Sequence, residues 1–206
     1  MTTRLITWTN IKPGLIGVLL SSAGMFLGYE LGSETARLLG GEPLVWARIS
    51  KGLVWGAFIG GLQWPIVRAV GVPPVRFLVA SAVGFAAGYP LGQTIQANIV
   101  FHWSLHLTGY WSAVAAFGLF LGVPQWWIFR RHMKRAGLWV LFSVIGWILT
   151  GLAWMSFRAG DGLDSIVYGI VTGLGLVWLA RSQPLLSRGV SKLGTSEESR
   201  SPQGRI

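Results

Sequence analysis

The sequence contains no cysteine and only seven acidic residues, against 17 lysines and arginines, in 206 residues. Without cysteine there is no disulfide, no thiolate metal site and no cysteine nucleophile, and the redox compartment is left open. Charged residues of both signs make up 12%, about half of the ~25% that a soluble domain carries. Catalytic signatures are missing as well. There is no His-Glu-x-x-His, no Gly-Lys-Ser/Thr phosphate loop, and no serine paired with histidine inside an apolar run. An enzyme needs a converging acid, base or nucleophile, so neither an enzymatic activity nor a cofactor is expected. The net charge of +10 would suit nucleic acid, but the basic residues stand at the ends of apolar runs, as loop charges do. Nucleic acid is not an expected partner.

What the sequence has in quantity is apolar and small residues: 52% are hydrophobic, with 29 glycines and 12 tryptophans. Apolar runs of about 20 residues match the hydrocarbon thickness of a bilayer when helical. They fall near 13–32, 52–70, 76–96, 111–129, 137–156 and 164–181. The expected fold is all-α: a polytopic transmembrane bundle of six helices in one domain, 1–181. The polar tail, 182–206, is rich in Ser, Gly and Arg and is expected to be cytoplasmic and disordered. Glycine stands at about double its usual ~7% share; in membrane helices it lets backbones approach closely. The tryptophans suit a chain with two water–lipid interfaces to anchor. The first run follows Arg4 and Lys12 and resembles a signal peptide, with Ser21-Ser22-Ala23 as a cleavage site. Its pattern recurs in mid-chain, where no signal can be, so it reads as a span.

Charge sets the orientation. The side with the N-terminus, the loops after spans 2 and 4 and the tail holds Arg4, Lys12, Arg68, Arg76, Arg130, Arg131, Lys134, Arg135, Arg181, Arg188, Lys192, Arg200 and Arg205. The other side holds only Arg37, Arg48, Lys51 and Arg158, with most of the acids. By the positive-inside rule both termini face the cytoplasm. An α-helical bundle implies an inner, plasma or thylakoid-type membrane, since outer membranes hold barrels.

The spans also repeat. Span 1 carries Ser21, Gly24, Gly28, Tyr29, Leu31 and Gly32; span 3 carries Ser81, Gly84, Gly88, Tyr89, Leu91 and Gly92. Span 5 keeps Ser143 and Gly146, with Thr150 in place of the next glycine. Among the even spans, Gly56, Gly60, Gln63, Trp64 and Arg68 become Gly118, Gly122, Gln125, Trp126 and Arg130. Span 6 keeps Gly169, Gly173 and Arg181, but has Leu176 and Val177 where the Gln-Trp pair belongs. The reading is three tandem two-helix repeats, near 13–70, 76–130 and 137–181, of one topology about an axis normal to the membrane. The first two copies carry an extra outer segment that the third lacks. Glycines three or four apart line one helix face, and a small-residue stripe packs membrane helices. Gly24, Gly28, Gly56, Gly60, Gly84, Gly88, Gly118, Gly122, Gly146, Gly169 and Gly173 are therefore read first as packing residues.

The pattern Gly-x-x-x-Gly-x-x-Gln-Trp-x-x-x-Arg, carried by Gly118 through Arg130 and followed by Gly137-Leu138-Trp139, resembles a group of uncharacterised multi-pass bacterial membrane proteins. The resemblance covers roughly residues 52–181 and implies no activity. Mitochondrial carriers also have three two-helix repeats, but their Pro-x-acidic-x-x-basic signature is absent from the odd helices.

Few polar residues within the spans can carry chemistry. Gln63 and Gln125 lie on the glycine face, where they would either form a polar site between repeats or hydrogen-bond a neighbouring helix. Pro65 and Pro124 each free a backbone carbonyl one turn earlier, which a glutamine amide could satisfy. Glu30 lies near the outer end of span 1 as a candidate for ion or proton coupling, with Arg37 as a candidate partner. His102 and His106, four apart, suggest a short interfacial helix; with no third ligand evident, a metal is not expected. Asp161-Gly162-Leu163-Asp164 reads as a turn and helix cap. Trp126 and Trp127 beside Arg130 and Arg131 read as an aromatic belt; the basic cluster could also attract anionic lipid headgroups. The function expected from this balance is a non-enzymatic integral membrane protein, an assembly, structural or regulatory partner of another membrane component. The alternative is a small transporter or channel for an apolar or weakly polar solute, lined by Gln63, Gln125 and Glu30.

Overall fold

The computed structural model describes residues 8–103, 106–157 and 162–182. They form six helices: α1 (Trp8–Leu38), α2 (Val45–Ala69), α3 (Pro74–Trp103), α4 (His106–Phe129), α5 (Leu138–Phe157) and α6 (Leu163–Arg181), with no strand among the described residues. Five of them, all but α2, contain a stretch long and apolar enough to cross a membrane. That is the character of a multi-pass membrane protein. α2 falls short of the expected six because Arg48, Lys51, Gln63 and Arg68 interrupt its apolar run.

The helices also run past the expected spans. α1 and α3 have 31 and 30 residues, about 45 Å at ~1.5 Å per residue, against a hydrocarbon core of ~30 Å. α5 and α6, with 20 and 19 residues, barely match it. The extra outer segment of the first two sequence units is thus mostly continued helix rather than loop. Polar residues near the end of α3 help it continue: Thr94 donates to Pro90 O at 2.8 Å and Asn98 to Thr94 O at 2.9 Å. This overturns the interfacial helix expected around His102 and His106. His102 belongs to the end of α3 and His106 begins α4, and their side chains lie outside the described residues, as do Arg158, Asp161 and the tail from 183 onward.

Each helix packs against its neighbours in the chain, and α6 returns along α1, so the six close into a ring. Glycine stripes set the seams. Gly24, Gly28 and Gly32 of α1 face Ile59, Trp55 and Lys51 of α2, an order that runs antiparallel. Gly56 and Gly60 lie on Ser81 of α3; Gly84 and Gly88 on Phe120 of α4; Gly118 and Gly122 on Val144 and Ser143 of α5. Gly146 faces Thr172 and Tyr168 of α6, and Gly169 and Gly173 close the ring against Ser22, Val18 and Gly17 of α1. A methyl group on Gly118 would come within 2.6 Å of Val144 Cα, and one on Gly169 within 2.6 Å of Val18 O. Those contacts are to backbone, which cannot step aside, so the seams require the absent side chain. Dispersion across such close seams holds helices together where lipid is as apolar as the core. The outer surface is apolar, with Leu15, Leu19, Val83, Leu141 and Leu152 among its exposed side chains, as contact with a bilayer requires.

The axis of the ring is filled. Each helix contributes one large residue beside a stripe glycine: Met25, Trp55, Phe85, Phe117, Trp147 and Tyr168, all at most 7% exposed. Trp147 touches Trp55, Phe85, Phe117 and Tyr168 at centroid distances of 5.2–5.7 Å. Most of these contacts are edge-to-face, the favoured arrangement of aromatic pairs. A second buried cluster, which includes Phe77, Phe129, Trp139, Leu176 and Leu179, fills the end of the ring that carries Gln63 and Gln125.

Candidate functional site

Two polar regions stand out, one on each side of the aromatic plug. The first holds the glutamines. Both are fully buried. Gln63 donates from Nε2 to Ser21 Oγ of α1 at 3.1 Å, and Gln125 donates to Ser81 Oγ of α3 at 2.7 Å. The same bond therefore joins matching residues of α1–α2 and α3–α4. The expectation that these amides serve proline-freed carbonyls is corrected: serine hydroxyls take them. A hydroxyl one helix away offers an acceptor without unwinding the ladder, and Ser81 passes its own proton to Phe77 O at 2.7 Å. Gln125 Oε1 also accepts from Trp139 Nε1 at 2.6 Å.

The second region is a cavity of about 440 Å³ at the other end of the ring, lined from all six helices. Its floor is the plug, through Trp55, Phe117 and Trp147, and its walls carry Glu30, Glu42, Lys51, Tyr89 and Asp164. Gln63 and Gln125 do not line it. The structure thus does not bring the predicted trio together: Glu30 is exposed at the cavity, and the glutamines are sealed beyond the plug. Nor does Arg37 reach Glu30. It pairs with Glu34, Nε to Oε2 at 2.8 Å, because residues three apart share a helix face.

Lys51 is the cavity's most constrained charge. Its side chain is 3% exposed, ion-paired with Glu42, and its Nζ lies 4.6 Å and 5.1 Å from the ring centroids of Tyr29 and Tyr89. Tyr89 donates its hydroxyl to Glu42 Oε2 at 3.0 Å, and Arg48 donates to the Glu42 carbonyl at 2.5 Å. Burial pushes the Glu42 carboxyl up, but the hydrogen bonds and charge around it, Lys51 foremost, hold it below its ordinary value. A buried ammonium paired and hydrogen-bonded in this way avoids the cost of an isolated buried charge.

The Asp161-Gly162-Leu163-Asp164 motif lies at the start of α6, with Asp161 outside the described residues. Gly162 is the N-cap, with a φ of 78° that favours glycine, and Asp164 sits in the first turn, accepting from Ser165 N at 2.7 Å. A carboxylate there is favoured by the helix dipole. At the opposite end, Arg130 stacks 3.3 Å from the Trp127 ring centroid and Arg68 lies 5.9 Å from that of Trp64, an arrangement suited to an interface.

The plug and the role of Lys51 escape the sequence reading. The available signal was a bulky residue beside a stripe glycine in every span, and a tyrosine repeated at 29 and 89. Among the described residues no group of three or more His, Cys, Asp or Glu is placed to hold a metal ion. No protein-family model matches the chain, and neither the curated proteins nor the solved structures give a match.

Proposed function

We propose that the chain is a non-enzymatic integral membrane protein that serves as an assembly, structural or regulatory partner of another membrane component. In this reading α2 crosses the membrane with the other five helices, the termini are cytoplasmic, and the ring consists of three copies of one helix pair. The repeated serine–glutamine bond and the glycine seams support the three-copy reading. The observation that carries the functional reading is the closed interior. Glycine seams, the aromatic plug and the glutamines' commitment to neighbouring helices leave no polar path along the axis among the described residues.

The test is reconstitution in liposomes of the wild type and of a Gln63→Leu, Gln125→Leu double variant. Leakage of ions and small solutes equal to that of empty liposomes is expected for both, with the variant melting at lower temperature in detergent. Leakage through the wild type that the double variant abolishes would overturn the reading. One observation favours the transporter alternative, the open cavity of about 440 Å³. In that case Trp55, Phe85 and Trp147 must part for a solute to pass.

A further inference from the structure

The cavity's charge runs against that of the chain. The sequence carries a net +10, yet the described cavity wall has three carboxylates, Glu30, Glu42 and Asp164, and one cation, Lys51. Lys51 and Glu42 neutralise each other. Glu30 on α1 and Asp164 on α6 remain, and neither has a basic partner among the described residues. They flank one seam. Phe26, one turn before Glu30, lies 3.6 Å from the Cβ position of Gly162, two residues before Asp164.

Much of the remaining cavity wall is aromatic. Phe26, Tyr110, Trp147 and Trp154 line the cavity, and Tyr110 and Trp154 stack at 6.2 Å. Ring faces attract cations, most strongly where water is excluded, and a carboxylate acts more strongly across a low-dielectric wall than in bulk water. The cavity already holds one ammonium in this manner, since Lys51 sits against Tyr29 and Tyr89 with Glu42 beside it. An anion would meet two carboxylates that have no basic partner among the described residues. A bare metal ion would meet aromatic rings in place of a ligand set.

We propose that this cavity is a binding site for an amphipathic organic cation, an ammonium or phosphonium centre carrying apolar groups. Glu30 and Asp164 supply the charge, and Phe26, Tyr110, Trp147 and Trp154 supply the walls. The site goes beyond the partner reading above and does not depend on it, because it lies on one side of the plug whether or not the plug ever opens. The cation can come from a free solute or from the choline or ethanolamine end of a lipid headgroup.

The experiment uses the purified full chain in non-ionic detergent, with tetraphenylphosphonium followed by an ion-selective electrode. Tetraphenylborate, of the same shape and opposite charge, is the control. Saturable binding of the phosphonium is expected, and none of tetraphenylborate, which is measured in a separate sample because the two ions precipitate together. Binding should weaken about tenfold or more in a Glu30→Gln, Asp164→Asn double variant, as loss of two carboxylates from a partly closed site requires. The Asp164→Asn change keeps an acceptor oxygen for Ser165 N, and a melting temperature matching the wild type verifies that the variant folds. Glu30→Asp, which keeps the charge, should recover part of the affinity. Uptake no greater than that of protein-free micelles, unchanged affinity in the double variant, or equal binding of tetraphenylborate would each overturn the proposal. Displacement by glycerophosphocholine assigns the site to a lipid headgroup; displacement only by apolar cations assigns it to a free solute.

Discussion

Gln125 and Gln63 stand at matching places in α4 and α2, equally buried and each bonded to a matching serine, yet one neighbour separates them. α5 presents Trp139 to Gln125, and its indole N–H donates to Gln125 Oε1. The corresponding residue of α3 is Phe77, which has nothing to donate, and Gln63 Oε1 has no partner among the described residues. At the matching place in α6 there is no glutamine. Leu176 takes its place, and Ser143 Oγ is left buried without a partner among the described residues. Glutamine bonds to both neighbours, to one and to none therefore occur at matching places within a single ring. The same side chain at the same depth has a value set by what its neighbour offers, because a buried polar atom without a partner costs more than a made hydrogen bond gains.

The largest effect should follow from breaking the site with both bonds. Gln125→Leu strips the donor from Ser81 and the acceptor from Trp139, leaving an indole N–H bare in the core. A loss of about 2–3 kcal/mol is expected, combining two interhelical bonds of ~0.6–1.7 kcal/mol each with the exposed donor's penalty. Thermal or denaturant unfolding in mild detergent measures it. Gln63→Leu removes one bond and at the same time disposes of an unsatisfied oxygen. Its expected cost is smaller, about 0.5–1 kcal/mol. Equal losses for the two substitutions would show that the Trp139 bond contributes nothing and would remove the distinction between the two glutamines.

The sequence showed the seams and hid the interior, for a physical reason. A glycine stripe is legible because only a small residue permits backbones to meet, so Gly24, Gly28, Gly56, Gly60 and their counterparts announce contact surfaces wherever they occur. Large apolar residues announce nothing of the kind in a membrane. Trp55 fills the axis and Trp127 is exposed, but lipid and core are equally apolar, so no periodicity separates them. The closure of α6 on α1 was half visible. Gly169 and Gly173 promised a close neighbour, but Gly17, Val18 and Ser22 lay outside the stripe read on span 1. Lys51 was placed as one of the few charges of the outer side. Its burial depends on Glu42, which reaches it from the α1–α2 connection, and on two tyrosines from different helices. Such convergence of distant residues has no signature in spacing.

The smallest effect, and the most discriminating in sign, belongs to α5 and α6, where no glutamine meets the serine. Ser143 and Ser81 match in sequence and are both fully buried. Ser81 accepts from Gln125 and donates to Phe77 O, so Ser81→Ala should cost about 1–2 kcal/mol, the usual worth of bonds to a buried hydroxyl whose partner is then stranded. Ser143 Oγ has no such bonds to lose, and Gly122 has already left space around its side chain. Ser143→Ala should therefore be neutral, or raise stability by up to about 1 kcal/mol, by relieving an unsatisfied buried oxygen. Melting curves of the two alanine variants in one detergent decide the matter. If Ser143→Ala proves as damaging as Ser81→Ala, α5 holds its serine by an interaction of its own, and the gradient from two bonds to none no longer describes the ring.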